Sequence, residues 1–241
     1  MKFFDLHVHS AFSGGESSLE EIAKTAKLLG YHGICLVFYY QDEKQKEMLE
    51  AEIEKLKKEV GIEIYLGFEA RNLKELKELS RKRRSFDLLL ARGGEVEMNR
   101  KACETKEVDI LTHPEYQRND SGLDHVSVRF AAENDVAIEL NLREILISSK
   151  ASRAKVLANM ARNVKLAKKY GAKIIVCSGA VSHWELRDPL CLASLATQLG
   201  LELKEAKEAV SKIPEKIVEK IKERRSENWI RPGVKIVGWE K

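Results

Sequence analysis

The chain has 241 residues, a net charge of +4, 44% hydrophobic and 33% charged residues, enough apolar material for a large core beneath a charged surface. Its longest apolar runs, such as GICLVFYY and KIIVCSGAV, fall short of the roughly 20 residues of a membrane span, which argues against a helical membrane protein. The start MKFFDLHVHS lacks a secretory signal pattern, so a cytoplasmic protein with no membrane partner is expected, and its mild charge neither demands nor excludes an anionic partner.

The first strand-like run, FFDLHVH (3–9), places His7 and His9 on one face, as two ligands of a single metal site would require. A helix follows, with Leu19, Ile22, Ala23, Ala26 and Leu29 at helical spacing and Ser18 three residues before Glu21, a capping box. GICLVFY (33–39) is the second strand, and IEIYLGFEA (62–70) is the third, with Glu69 near its end. After the third helix comes SRKRRS, whose Arg81 to Arg84 meet the helix dipole favourably; solvated capping explains them at least as well as RNA contact.

FDLLLARG (86–93), DILTH (109–113), VAIELNL (136–142) and KIIVCSG (173–179) make seven strands, with His113 ending the fifth and Glu139 within the sixth. Several are continuous apolar runs, as in a parallel sheet buried on both faces. The helix before the seventh shows Val156, Met160, Val164 and Leu166 to Ala167 at helical spacing. Strands alternating with helices predict an α/β, TIM-barrel-like fold, a single domain over 1–241 with 200–241 as helical extension and tail. The tail KERRSENWIRPGVKIVGWEK brings Arg224, Arg225, Arg231 and Lys235 around Trp229, a segment that suits base stacking, although Trp229 and Trp239 fastening the tail to the barrel is the better reading. Cys35, Cys103, Cys177 and Cys191 lack CxxC spacing and are expected as free, buried thiols.

DLHVHS, YLGFEA and DILTHPE resemble motifs of the polymerase-and-histidinol-phosphatase (PHP) superfamily, distorted seven-stranded barrels that hydrolyse phosphate esters with a cluster of divalent metals. That resemblance implies His7, His9, Glu69 and His113 as metal ligands. Two motifs depart from it. Where the superfamily shows Thr-Asp-His the chain reads LVFYYQD, with Phe38 and Tyr39 in ligand positions; where it shows Ser-Asp-Ala-His the chain reads CSGAVSH, with Gly179 and Val181. Phenylalanine, glycine and valine side chains offer no donor to a hard cation, so a full catalytic cluster is not expected and no catalytic residue is assigned; a partial site for a residual divalent metal stays open, and Asp42 and His183 stand near enough in sequence to reach in.

The second half, VCSGAVSHWELRDPLCLASLATQLGLELKEAKEAVSKIPEKIV together with SGLDHVSVRFAAENDVAIELNL, resembles the barrel subunit of ribonuclease P, the protein component 3 family of archaea and its eukaryotic counterparts. The resemblance runs from about Lys2 to about Ile221. It implies a cofactor protein in removal of the 5′ leader of precursor tRNA, with Mg²⁺ and catalysis belonging to the RNA subunit. The implied partners are the RNA, precursor tRNA and a small ferredoxin-like protein subunit, in a heterotetramer with two copies of each protein.

RNA affinity comes from cations that neutralise phosphates. The loops after strands four to seven carry Arg92, Arg118, Arg143 and Arg187, and with His125 these are the candidate RNA-binding residues; the competing expectation pairs Arg187 with Asp188 or a helix end and Arg143 with Glu144. Two rival functions remain: a stand-alone phosphoesterase using His7, His9, Glu69 and His113, and a general RNA-binding barrel.

Overall fold

The computed structural model describes residues 1–226, 228–231 and 234–235. Seven parallel strands lie side by side in sequence order: β1 (Phe4–Val8), β2 (Gly33–Phe38), β3 (Glu63–Ala70), β4 (Leu88–Arg92), β5 (Ile110–Thr112), β6 (Ala137–Asn141) and β7 (Ile174–Cys177). The chain crosses between them through α1 (Leu19–Leu28), α2 (Glu43–Val60), α3 (Leu73–Arg81), α4 (Val96–Glu104), α5 (His125–Asn134), and then α6 (Leu142–Ile147) with α7 (Lys150–Tyr170). The expected α/β barrel is present. Its seam is drawn together by a parallel bridge between Val8 and Ala180, by the His9 N–H donating to the Ala180 carbonyl at 2.8 Å, and by the buried Asp5 carboxylate accepting from the Ser178 N–H at 3.2 Å.

Alternation along the strands divides the core in two. Ile34, Leu36 and Phe38 of β2 join the large cluster shared with the helices. Cys35 and Val37 join a second cluster with Tyr65, Leu90, Ile110 and Ile175, the filling of the barrel. After α8 (Pro189–Gln198) and α9 (Leu203–Ala209), α10 (Lys212–Arg225) completes that filling with Ile217, Val218 and Ile221. Its cations reach strand starts in turn. Lys220, Lys222, Arg224 and Arg225 pair with Asp135, Glu63, Asp109 and Asp87, at or just before β6, β3, β5 and β4. The helix therefore stoppers the N-terminal end of the barrel.

The basic runs that invited an RNA reading belong largely to this stopper. Arg83 is buried, ion-paired with Asp109, and donates to the carbonyls of Phe86 at 3.1 Å, Asp87 at 2.8 Å and Glu107 at 2.9 Å. This corrects the expectation of solvated capping at Arg83, while Arg81 lies exposed in the last turn of α3 as expected; Lys82 pairs with Glu43, and the exposed Arg84 lies over the Trp229 ring at 5.1 Å. Trp229 belongs to a short antiparallel pair, β8 (Trp229–Arg231) with β9 (Val234–Lys235). The Arg231 and Lys235 side chains and Trp239 lie outside the described residues. The Ser18–Glu21 capping box forms at 3.2 and 2.9 Å. Cys35, Cys103 and Cys177 are buried free thiols, but Cys191 is exposed near the start of α8, a correction to its expected burial.

Asp109 carries two guanidiniums and the Leu89 N–H, the last at 2.9 Å. Asp109→Ala would leave Arg83 and Arg224 buried without their counter-charge, and should lower the unfolding free energy by about 3–5 kcal/mol in urea titrations; a loss below about 1 kcal/mol would show the stopper to be dispensable.

A second buried acid lies outside any ion pair. Glu115 accepts from Asn163 Nδ2 at 3.4 Å, while Glu115 Oε1 and Asn163 Oδ1 have no partner among the described residues. Burial pushes the Glu115 carboxyl up to about 8 from the ordinary 4.5. The folded state then holds a proton that the unfolded chain has shed, so stability falls as pH rises through that window. Glu115→Gln should raise Tm more at about pH 8 than at about pH 5; equal shifts would contradict a buried neutral acid.

Candidate functional site

The C-terminal mouth of the barrel gathers the histidines that the strand pattern singles out. His7 and His9 come from the end of β1, Glu69 from β3, Thr112 and His113 from β5, and Glu139 from β6, all buried. His7 Nδ1 lies 2.7 Å from Glu139 Oε1, and its Nε2 lies 3.0 Å from His9 Nε2. Glu69 Oε1 accepts from the Thr112 hydroxyl at 2.8 Å and stands 3.9 Å from both His7 Nε2 and His113 Nε2. The other carboxylate oxygen of Glu69 and both ring nitrogens of His113 have no hydrogen-bond partner among the described residues. His113 also sits at φ +28, where a non-glycine residue is uncommon, and its N–H donates to Glu139 Oε2 at 3.1 Å.

The charges follow from these contacts. Burial opposes a cation at His7, but the charge of Glu139 and the hydrogen bond to it, with Glu69 adding to them, lift the imidazole to about 9. Burial and then the positive His7 hold His9 down at about 4. Burial lowers His113 to about 4 despite Glu69 and Glu139. Glu139, although buried, is held at about 2 by His7. Near neutral pH the mouth thus carries an ionised Glu139–His7 pair beside two neutral imidazoles.

The residues fit only part of the metal cluster that the superfamily resemblance implies. His7, His9 and Glu69 bring one donor atom each within 4.8 Å of one another. The other two donor groups are replaced by structural residues. Phe38 is buried among the helices, and the Tyr39 hydroxyl accepts from Arg92 at 3.4 Å. Gly179, at φ +62, presses on the Asn141 amide so closely that any Cβ would overlap it. Neither rescue residue reaches in. Asp42 caps α2, accepting from the Gln45 N–H at 2.7 Å, and His183 Nδ1 lies 2.7 Å from the Ser17 hydroxyl.

Two openings adjoin the site. A cavity of about 190 Å³ is lined by the histidines, Glu69, Tyr39, Arg92, Arg143 and Tyr116. A larger one, of about 570 Å³, continues past Arg92 to Arg71, Tyr116 and Arg118. Arg92 is half-buried, its guanidinium 5.0 Å from the Tyr116 ring centre, and it forms no ion pair with a carboxylate among the described residues. Arg118 is fastened down, donating to both Asp120 oxygens at 2.6 and 2.9 Å and to the Gly94 carbonyl at 2.8 Å. Arg143 pairs with Glu185 at 3.0 Å rather than with Glu144, and Arg187 donates to the Trp184 and Leu186 carbonyls at 2.7 and 2.8 Å rather than to Asp188.

His125 is exposed at the first position of α5, its ring 6.4 Å from that of Tyr170 at the far end of α7, and it lines neither cavity. Sequence reasoning missed Arg71 and the aromatic supports Tyr39 and Tyr116; Arg71 lies over the Tyr39 ring at 4.8 Å. Position immediately after a strand end, where barrels place their working loops, was the available signal for Arg71.

Residues 2–226 match the sequence profile of RNase P subunit p30. Ribonuclease P protein component 3 of Methanosarcina mazei is 36% identical over 242 residues, covering 99% of this chain and 97% of that protein. The component 3 protein of Methanothermobacter thermautotrophicus is 34% identical over 225 residues, covering 91% and 89%. A chain in a cryo-EM structure of archaeal ribonuclease P with mature tRNA superimposes with a TM-score of 0.80 at 28% identity, covering 98% of this chain and 99% of that one. With its barrel, its altered mouth and these matches over nearly the whole length, the chain belongs to the p30, or protein component 3, family of ribonuclease P subunits.

Proposed function

We propose that the chain works as an RNA-positioning subunit in tRNA 5′-leader processing, with phosphodiester hydrolysis carried out by the RNA and its Mg²⁺. The observation that carries this reading is the match over nearly the full length to a chain solved within archaeal ribonuclease P bound to mature tRNA. The rim supplies a suitable chemistry. A guanidinium held by an aromatic face and free of carboxylates keeps its donors for a phosphate oxygen, with little side-chain freedom left to lose on binding. Arg92 comes nearest to that state, with one donor on the Tyr39 hydroxyl at 3.4 Å and none on a carboxylate among the described residues, and is the first candidate; Arg118, Arg143 and Arg187 contribute positive potential while paired with acceptors of the protein itself. His125 would have to meet RNA on a separate face. A small ferredoxin-like subunit, two copies with two of this chain, completes the proposed assembly in the cytoplasm.

The test is cleavage of precursor tRNA by ribonuclease P RNA at limiting Mg²⁺, with the small protein partner present and this chain added or omitted. The chain should stimulate cleavage. Arg92→Ala should weaken RNA binding by about 1.5–3 kcal/mol, as for a lost charge-assisted hydrogen bond, and reduce the dependence of log K on log salt by about one. Unchanged affinity and slope would remove Arg92 from the interface.

The intact group of His7, His9 and Glu69 favours a second reading, hydrolysis of phosphate esters by the chain alone. The displaced donors at Phe38 and Gly179 argue against it. The isolated chain should not turn over a phosphomonoester with added Mn²⁺ or Zn²⁺; turnover abolished by His9→Ala would reverse the assignment.

A further inference from the structure

Three imidazoles and a carboxylate are a costly set to bury beside one another unless something uses their lone pairs. At the mouth those lone pairs are unequally employed. Glu139 holds His7 at Nδ1, and the His7 Nε2 faces His9 Nε2 at 3.0 Å, where a bound ion would take the place of the Nε2 proton. Two nitrogens bound to one tetrahedral ion at about 2.0–2.1 Å each stand roughly 3.3 Å apart, close to that spacing. The Ser13 hydroxyl lies 3.4 Å from His9 Nδ1, again leaving Nε2 as the inward atom. Glu69 is held through Oε1 by Thr112, while its buried Oε2 has no hydrogen-bond partner among the described residues. His113, whose Nε2 is 3.9 Å from the same carboxylate and whose Nδ1 is 3.6 Å from Glu144 Oε1, has no hydrogen-bond partner at either ring nitrogen among the described residues.

We infer that this half of the mouth binds one divalent transition-metal ion through His7, His9 and Glu69, with His113 offering the fourth donor, as a structural staple between the ends of β1, β3 and β5. The chemistry of the donors sets the ion. Imidazole-rich sites with one carboxylate suit zinc, cobalt or nickel, whereas Mg²⁺ demands oxygen ligands in octahedral array. The surroundings are those of a supported metal ligand, because a carboxylate on the distal nitrogen of His7 fixes its tautomer and orientation. The number of ions follows from the donors that converge: His7, His9 and Glu69 are the group gathered tightly enough among the described residues, and Phe38 and Gly179 offer no donor of their own. The inference does not depend on the ribonucleoprotein role, and the two can fail separately.

The full chain, stripped with chelator and dialysed against Zn²⁺, Co²⁺ or Mg²⁺, should retain about one Zn²⁺ or Co²⁺ per chain and no Mg²⁺ by elemental analysis. Bound Co²⁺ should show the intense visible absorption of a tetrahedral site, and Zn²⁺ should raise Tm. Glu69→Gln and His9→Gln should each abolish retention. Glu139→Gln, which touches no ion, should weaken affinity roughly 10–100-fold. Failure of the stripped wild-type chain to retain Zn²⁺ or Co²⁺ would overturn the inference without requiring any variant to fold. So would retention undiminished in folded Glu69→Gln protein, because the ion would then lie on surface histidines such as His32 or His125.

Discussion

Closure of a seven-stranded parallel barrel is the constraint from which the remaining features follow. Seven strands leave a seam between the first and the last, and an open parallel edge would expose unpaired backbone groups. The chain meets this locally with the Val8–Ala180 bridge and the Asp5 carboxylate on the Ser178 N–H. It meets the other weakness, an unfilled barrel end, with α10, whose apolar face enters the inner cluster while its cations settle on acids at successive strand starts. A barrel stoppered at its N-terminal end presents its C-terminal mouth as the place where polar groups can gather without weakening the interior.

The altered mouth is consistent with that division. Residues that hold the mouth together have kept their chemistry: Glu139 joins His7 from β1 to the His113 backbone from β5, and Thr112 holds Glu69. At the positions where the superfamily resemblance would place further donors stand Phe38 and Gly179, which have packing duties of their own. A carboxylate could not be restored at Gly179 by a single exchange, because a side chain there would have to displace Asn141, which caps α6 and donates to Glu139.

Much of this was legible in the sequence, and the reasons are specific. Continuous apolar strands in alternation with amphipathic helices specified the parallel sheet, and the period-2 spacing put His7 and His9 together because it depends only on backbone geometry. The short helix α6 was illegible. It depends on the Asn141 side chain accepting from the Arg143 N–H at 2.9 Å, a local contact inside what reads as a continuing strand. The fate of the arginines was illegible for a different reason. Arg83 and Arg224 lie 141 residues apart in the chain yet share Asp109, and no local pattern distinguishes such a buried cation from one in solvent.

That sharing changes how a basic stretch in this protein should be weighed. Net charge describes the field seen at a distance, but a phosphate at the surface meets individual guanidiniums whose donors are free or already taken. Arg118 gives donors to Asp120 and Gly94, and Arg143 to Glu185, so part of each guanidinium is already spent on an acceptor of the protein. Arg92 gives one donor to the Tyr39 hydroxyl and none to a carboxylate among the described residues, so most of its hydrogen-bonding edge stays open. Burial of Arg83 and Arg224 at the stoppered end thus takes two of the conspicuous cations out of reach of a phosphate, whereas Arg92, at the end of β4, lines the open mouth.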